Sequence, residues 1–175
     1  MTITDTLDKE SLERVYDLYT EILKKHDMGF EVLPIEFFSN VLKNMPGNAK
    51  FFLWRIDGKL VAFLFALVSK EVFIDYYVGL DYSIAHKYHL YFVKFRDVMN
   101  WCIGQGIKRY DMGVTGYEPK RRLGFEFKPL YIYAKYRNPL IRPFFNMLCG
   151  LLKFENFDPV LKDIKKAISE KTAGK

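Results

Sequence analysis

The chain contains little cysteine, and its first residues have none of the features of an exported protein. Only Cys102 and Cys149 occur among the 175 residues, with no CxxC pair, which indicates neither a disulfide framework nor a zinc site. The first residues, MTITDTLDKE, carry acidic and hydroxyl side chains where a signal peptide needs a positive charge and an apolar run. We therefore expect a protein of the cytoplasm.

No apolar run reaches the ~20 residues of a membrane-spanning helix. The most apolar stretch of the second half, Pro139 to Phe154, is interrupted by Arg142 and Asn146. Its leucines and phenylalanines still form a face that some surface must cover. This domain itself, a second domain of the same kind, a second copy of the chain in a homo-oligomer, or the inner surface of a membrane would each serve as that partner.

The motifs of several common enzyme classes are also missing. The glycines fit neither a GxSxG nucleophile elbow, nor a GxxxxGK[ST] phosphate loop, nor a GxGxxG dinucleotide fingerprint. Cys102 lies on the apolar face of a predicted helix, which indicates a buried thiol rather than a nucleophile. His86 and His89 stand three residues apart without a third ligand at a recognisable spacing, so we predict no metal site.

The chain is rich in apolar and aromatic surface. Half of its residues are hydrophobic, 17% are aromatic and 27% are charged, which excludes intrinsic disorder and predicts one packed domain with an appended element. The net charge of +6 is uneven, because residues 106–175 contain 15 basic and 7 acidic groups whereas residues 1–105 contain 12 and 14. The positive second half favours an anionic partner, either a nucleotide-bearing donor, a nucleic acid or an acidic membrane.

The spacing of apolar residues predicts two helices followed by a β-hairpin. Helical spacing of three and four runs from Leu12 to Leu23 and again from Phe37 to Leu42. Two apolar runs come next, near 50–56 and 60–68, and the Asp57-Gly58 pair between them is typical of a tight hairpin.

A strand–helix–strand unit is predicted after the hairpin. The run VFIDYYVGL is a third strand, residues 84–105 have helical spacing, and residues 108–114 are typical of a strand. The two strands should be parallel neighbours joined right-handedly. A loop then leads to a last strand at 129–136 and a basic amphipathic helix that begins at Asp158-Pro159.

The predicted fold class is therefore α+β. It is a mixed twisted sheet in which an antiparallel meander is followed by a strand–helix–strand crossover, with helices on both faces. We place this domain at residues 1–138 and a C-terminal helical extension at 139–175.

Four segments resemble a known family: DGKLVAFLFAL, YYVGLD, LYFVKFRDVMNWCIGQGIKRYDMG and TGYEPKRRLGFE. Their order and motifs resemble those of the GNAT-fold N-acyltransferases, and within them the branch related to FemAB-type and BioF2-like proteins. The resemblance covers residues 10–140. It implies the GNAT fold and an enzyme that transfers an acyl group to an amine.

The resemblance also implies a donor site between the two parallel strands. In the family, the pantetheine arm of acyl-CoA lies along the strand before the crossover helix. The pyrophosphate lies at the start of that helix, where free amides and the helix dipole favour an anion. Acetyl-CoA or another acyl-CoA would be the donor. The residues that would bind it are Val78, Gly79, Ala85, His86, Lys87, Tyr88 and His89.

The start of the crossover helix differs from the glycine-rich run that is usual in the family. The segment SIAHKYHL has no glycine at which a phosphate could approach the backbone. Aminoacyl-tRNA, the donor of FemAB-type relatives, therefore stays open as an alternative, and it is the only nucleic acid that we expect to bind. A second alternative is a GNAT-like domain that no longer catalyses and instead binds an anionic or membrane-associated partner.

Amine acylation needs a base for the attacking nitrogen and an acid for the leaving group. Tyr117 follows the last parallel strand, near the place where GNAT enzymes commonly carry a tyrosine, and is the predicted acid. Asp75 interrupts an apolar strand and is the predicted base, although a solvent-facing carboxylate is the simpler interpretation. Glu118 is a weaker candidate base. The predicted acceptor is the amine of a small molecule or peptide.

The densest basic cluster, Lys120 to Arg122, follows Tyr117. Lys120 and Arg121 are predicted to bind phosphate or carboxylate groups of a substrate, with a solvated basic turn as the equal alternative. Asp111, in contrast, is predicted to accept hydrogen bonds from nearby backbone amides or from Arg109.

Overall fold

The computed structural model describes residues 1–26, 32–113, 116–128, 130, 143–145, 147 and 159–173. The strands are β1 (Thr2–Thr4), β2 (Ala49–Ile56), β3 (Lys59–Val68), β4 (Val72–Leu80) and β5 (Arg109–Asp111). The helices are α1 (Lys9–His26), α2 (Ile35–Asn44), α3 (Tyr82–Ala85), α4 (Leu90–Gly104), α5 (Tyr117–Arg122) and α6 (Pro159–Ala173). None of the helices in this part of the chain is long and apolar enough to span a membrane.

The chain divides into two compact units, Met1–Gly113 and Val114–Lys175. The first unit contains the whole sheet and α1 to α4. In the second unit α5 contacts α6. The boundary predicted between residues 138 and 139 lies outside the described residues and stays a prediction.

Within the part of the chain that the structure describes, the sheet has five strands in the order β1-β2-β3-β4-β5. Neighbours are antiparallel except β4 and β5, which are parallel. The turn between β2 and β3 has positive φ at both Asp57 (49°) and Gly58 (78°), as a two-residue hairpin turn with the right twist requires. The predicted meander and the parallel crossover are therefore confirmed.

Strand β1 was not among the predicted elements. It pairs with β2 at the edge of the sheet, with Thr2 opposite Leu53 and Thr4 opposite Phe51. Only three residues long, β1 shows too little alternation to stand out from a loop, and its β-branched composition was the single local signal.

Each face of the sheet carries its own apolar core, as predicted from helices on both sides. Helices α1 and α2 cover one face and α4 covers the other. The first core is built mainly from aromatic rings meeting edge to face, which strengthens packing beyond the area buried. Its fully buried rings are Phe38, Phe51, Phe63 and Phe65.

Two elements predicted in the first unit differ from the structure. The helix predicted over 84–105 is interrupted, because His89 adopts a left-handed conformation between α3 and α4. The strand predicted over 108–114 ends at Asp111.

The segment after Gly116, predicted as a loop, is helix α5. Pro119 in the first turn of this helix needs no N–H partner, and Glu118 pairs with arginines three and four residues on. The strand predicted at 129–136 lies outside the described residues. The predicted start of the C-terminal helix at Pro159 is confirmed.

Candidate active site

The two parallel strands part after three residue pairs. Val72, Phe73 and Ile74 of β4 lie opposite Arg109, Tyr110 and Asp111 of β5. From Asp75 to Leu80, β4 still pairs with β3, and no strand of the described residues pairs with its other side. Strand β5 stops because Gly113 has a φ of 66° and because the Asp111 carboxylate accepts the Gly113 N–H at 3.0 Å. This turn confirms the role predicted for Asp111, and it ends the pairing of β5 with β4.

A β-bulge bends β4 just after its last pair with β5. Phe65 lies opposite Tyr77 and Ala66 lies opposite Asp75, so Tyr76 is an extra residue on β4. A bulge increases the local twist and redirects side chains. Tyr76 is 51% exposed and its ring packs edge to face on those of Phe65 and Tyr77.

Asp75 does not face solvent, contrary to the simpler interpretation of the sequence. It is only 9% exposed and lies on the α4 side of the sheet. The Lys94 ammonium is 2.7 Å from its Oδ2 atom, and the Tyr110 hydroxyl donates to the same atom at 3.1 Å. The carboxylate is buried because Lys94, from the middle of α4, offsets the loss of water with a charge and a hydrogen bond.

Two tyrosines beside this carboxylate are held as neutral phenols. Burial, with a further contribution from the Asp75 charge, raises the pKa of Tyr91 to about 12. The same two causes, together with the hydrogen bond to Asp75, raise the pKa of Tyr110 well above its ordinary value. Tyr110 therefore remains a hydrogen-bond donor to Asp75 at every physiological pH.

Of the predicted donor-binding residues on β4, Gly79 has an evident packing role. A Cβ atom at this position would lie 2.2 Å from the Phe63 ring and 2.9 Å from Leu18 Cβ. The absent side chain lets α1 approach β4 closely. Val78 packs on the opposite, α4 side of the sheet.

The segment between β4 and α4 presents side chains rather than glycine amides. Asp81 caps α3 by accepting the Ser83 N–H at 3.1 Å, and Arg14 holds the same carboxylate at 2.9 Å. Ala85 is buried. Exposed residues then follow up to the start of α4: His86, Lys87, Tyr88 and His89.

Lys87 and His89 form two distinct features of this exposed run. The Lys87 ammonium lies 5.2 Å from the centre of the Tyr88 ring, an attractive cation–π arrangement. His89 has a φ of 48°, and this left-handed residue separates the single turn of α3 from the long helix α4. The run therefore offers two imidazoles and one ammonium just before the first free amides of α4.

The remaining predicted site residues lie in the second unit, on α5. The Glu118 carboxylate pairs with the guanidinium groups of Arg121 and Arg122 at 2.9 and 3.0 Å. These interactions, that with Arg122 foremost, lower the pKa of Glu118, which makes it a weaker base. Lys120 is buried rather than solvated, and the Tyr117 ring packs 6.2 Å from that of Phe127.

Metal-binding and thiol chemistry find no support in the described residues. No group of three or more His, Cys, Asp or Glu side chains there is arranged to hold a metal ion. Cys102 is buried as predicted, and burial raises the pKa of its thiol to about 11, so that almost no reactive thiolate forms near neutral pH.

The acetyltransferase (GNAT) domain family matches residues 1–122, which is more than two thirds of the chain. The chain belongs to this family and is an acyl-transferring enzyme of the GNAT type. This result confirms the resemblance at the level of the family. It decides the choice between a catalyst and a binding domain in favour of the N-acetyltransferase class.

One solved structure supports the same fold. A possible acetyltransferase from Clostridium difficile 630 superimposes with a TM-score of 0.59 at 12% sequence identity, over 78% of this chain and 97% of that one. The aminoglycoside N-acetyltransferase AAC(6′)-Iy, solved in complex with CoA, gives a TM-score of 0.48 at 16% identity, over 78% of this chain and 100% of that one. The second value is too low to carry an argument. Among proteins with curated descriptions, none matches the chain.

Proposed function

We propose that the protein transfers an acetyl group from acetyl-CoA to the amine of a small molecule or peptide. The observation that carries the proposal is the edge of β4 after Ile74, where its pairing with β5 ends and where β4 bulges at Tyr76. In the proposal, this edge is one wall of the cleft that holds the donor. A bent strand beside a cleft offers backbone groups to an extended, amide-containing chain such as pantetheine. The exposed basic run His86–His89 then lies between the end of β4 and the start of α4.

Side-chain cations replace glycine amides as the binding groups for phosphate in this proposal. An ammonium or imidazolium attracts phosphate without the close backbone approach that glycine permits. The positive charge of the second half acts in the same direction at longer range. We favour acetyl-CoA over aminoacyl-tRNA because the family match is to an acetyltransferase domain.

Acetyl-CoA is expected to bind saturably in isothermal titration, and more weakly at high salt than at low salt because added ions screen the attraction. Lys87→Gln is expected to weaken binding roughly three- to tenfold, which is about 1 kcal/mol. Lys70→Gln is the matched control, since Lys70 is an exposed lysine next to the opposite end of β4, and it should change binding less than twofold. If neither acetyl-CoA nor CoA binds, the proposed donor is wrong and aminoacyl-tRNA should be tested by filter binding.

The proposed chemistry is a direct transfer. The amine nitrogen attacks the thioester carbonyl, the new N–C bond forms, and the C–S bond breaks. The nitrogen gives its proton to the Asp75 carboxylate, and the departing thiolate takes one from the Tyr117 hydroxyl. Both residues keep the roles predicted from the sequence.

Tyr117→Phe is expected to lower kcat by roughly tenfold and to leave the KM for acetyl-CoA nearly unchanged. The loss is moderate because a thiol has an ordinary pKa of ~8.5, so its thiolate is already a good leaving group. Steady-state kinetics with 5,5′-dithiobis(2-nitrobenzoate) detection of released CoA measures the effect. Tyr16→Phe, on α1, serves as the control and should change kcat less than twofold. An unchanged kcat in Tyr117→Phe would assign the leaving-group proton to solvent.

Three finer predictions belong to this proposal. The chain would belong to the FemAB-related and BioF2-like branch of the family, which its four segments resemble. The C-terminal helices would dock on a second copy, a second domain or a membrane surface. Lys120 and Arg121 would bind an anionic group of the substrate. Arg121 already pairs with Glu118, so a substrate anion there would have to compete with that carboxylate.

A further inference from the structure

A lysine, an aspartate and a tyrosine meet in the interior beside the cleft. Lys94 is 2% exposed and lies on the buried face of α4, whose other members are Leu90, Phe95, Val98 and Cys102. Its ammonium contacts Asp75 at 2.7 Å and lies 4.4 Å from the centre of the Phe95 ring. Helical spacing alone would place a leucine at this position.

Stability alone does not account for this buried pair. Removing two charges from water costs more than a single contact commonly returns, and well-packed apolar residues in their place are often as stable or more stable. Clusters of buried titratable groups concentrate at functional sites. Asp75 is also the first residue of β4 beyond its last pair with β5, so the cluster lies where the two parallel strands part.

The two oxygens of Asp75 have different surroundings. Lys94 and Tyr110 both donate to Oδ2, and within the described part of the chain Oδ1 accepts no hydrogen bond. No buried side-chain oxygen or nitrogen in that part lacks a partner, so Oδ1 must keep contact with solvent. One oxygen is fixed by two donors, and the other has no donor within the described residues.

We infer that Lys94 and Tyr110 are positioning residues, which hold Asp75 by Oδ2 so that Oδ1 takes the proton of the attacking amine. The inference rests on the proposed function. The lysine offsets the burial of the carboxylate with an opposite charge, and the tyrosine fixes its rotation. The titratable groups of the cluster are Tyr91, Lys94 and Cys102 of α4 and Tyr110 of β5, with Asp75 at the centre.

A double-mutant cycle tests the inference with Lys94→Met, Asp75→Asn and the combined variant. The assay follows kcat/KM from pH 5 to 9 with acetyl-CoA and the best amine among spermidine, a peptide N-terminus and a lysine side chain. Lys94→Met should lose tenfold or more at neutral pH, because a buried carboxylate without its cation favours the protonated form. The acidic limb of the plot of kcat/KM against pH should shift to higher pH by about one unit in this variant.

The cycle separates positioning from a merely structural role. In the Asp75→Asn background, Lys94→Met should cost less than about threefold, because the base it serves is already gone. Lys94→Arg, which keeps the charge, should stay within about fivefold of the wild type. An equal loss in both backgrounds, or an unmoved acidic limb, would overturn the inference.

Folding and donor binding are measured alongside. If Lys94→Met does not fold in a thermal melt, Tyr110→Phe makes the smaller change and should move the acidic limb upward by about half a pH unit. If acetyl-CoA binds but no amine of the panel is acetylated, the base and this inference are both wrong. If acetyl-CoA does not bind, the proposed function itself has failed.

Discussion

Asp75→Asn is expected to lower kcat/KM for amine acetylation by about a hundredfold or more, since a positioned base typically contributes 10²- to 10⁴-fold. The KM for acetyl-CoA should change little, because the carboxylate acts on the acceptor rather than on the donor. The amide matches the carboxylate in size, so the cleft keeps its shape. Single-turnover kinetics with acetyl-CoA in excess measures the chemical step directly.

A matched substitution controls for the loss of one negative charge near the cleft. Asp111 is the exposed carboxylate that ends β5, and it accepts a hydrogen bond from Gly113 N–H. Asparagine accepts the same bond, so Asp111→Asn should change kcat/KM less than about threefold. If Asp75→Asn keeps more than a third of the activity while melting like the wild type, the base is another group.

The Asp75→Asn substitution also lowers the stability of the protein, and this loss must be measured separately. Asparagine leaves the Lys94 ammonium buried without its counter-ion, and breaking a buried pair in this way commonly costs about 3–5 kcal/mol. Activity should therefore be compared at a temperature where a melting curve shows both proteins folded. Replacing Lys94 with methionine in the same chain removes that stranded charge and should restore part of the stability.

Much of the fold was predictable because the sheet strands carry strong local signals. The apolar runs of β2 and β3, with Asp57-Gly58 between them, specify a hairpin before any tertiary contact is considered. The parallel pairing of β4 and β5 follows from a helix between two strands. The break at His89 left no such signal, since any residue but glycine or proline is compatible with a helical pattern until its φ is known.

The site was less predictable, because its residues are brought together by tertiary structure. Sequence could select Asp75 as a charge within an apolar strand, but its partner Lys94 lies 19 residues later in a helix. The sequence predicts that Lys94 lies off the apolar face of this helix, and that prediction is wrong, because Lys94 is buried. The sequence did contain one signal of the site, which is Lys94 itself. A charged residue at the same helical spacing as the buried positions of α4 is rarely buried without a partner. The bulge at Tyr76 has no signal in the sequence, since it depends on the pairing of β4 with β3.

Gly79→Ala is expected to destabilise the protein by about 3 kcal/mol, at the upper end of the usual cost of overpacking a core. The added methyl group would lie 2.2 Å from the Phe63 ring, and that ring is fully buried among other aromatic side chains. Rotation of the Phe63 ring alone would not make room for the methyl group. Leu18 Cβ, at 2.9 Å, is attached directly to the backbone of α1, so the helix itself must move away from β4.

A melting curve decides whether Gly79 has this packing role. About 3 kcal/mol corresponds to a fall in Tm of roughly 6–12 °C for a chain of this size. Gly104→Ala is the matched control, because no atom lies within 4 Å of its added Cβ and alanine favours a helix by about 1 kcal/mol. Its Tm should stay equal or rise. If Gly79→Ala melts like the wild type, α1 and β4 are not packed this closely. Loss of acetyl-CoA binding without loss of Tm would then mean that Gly79 serves the donor, as the sequence had predicted.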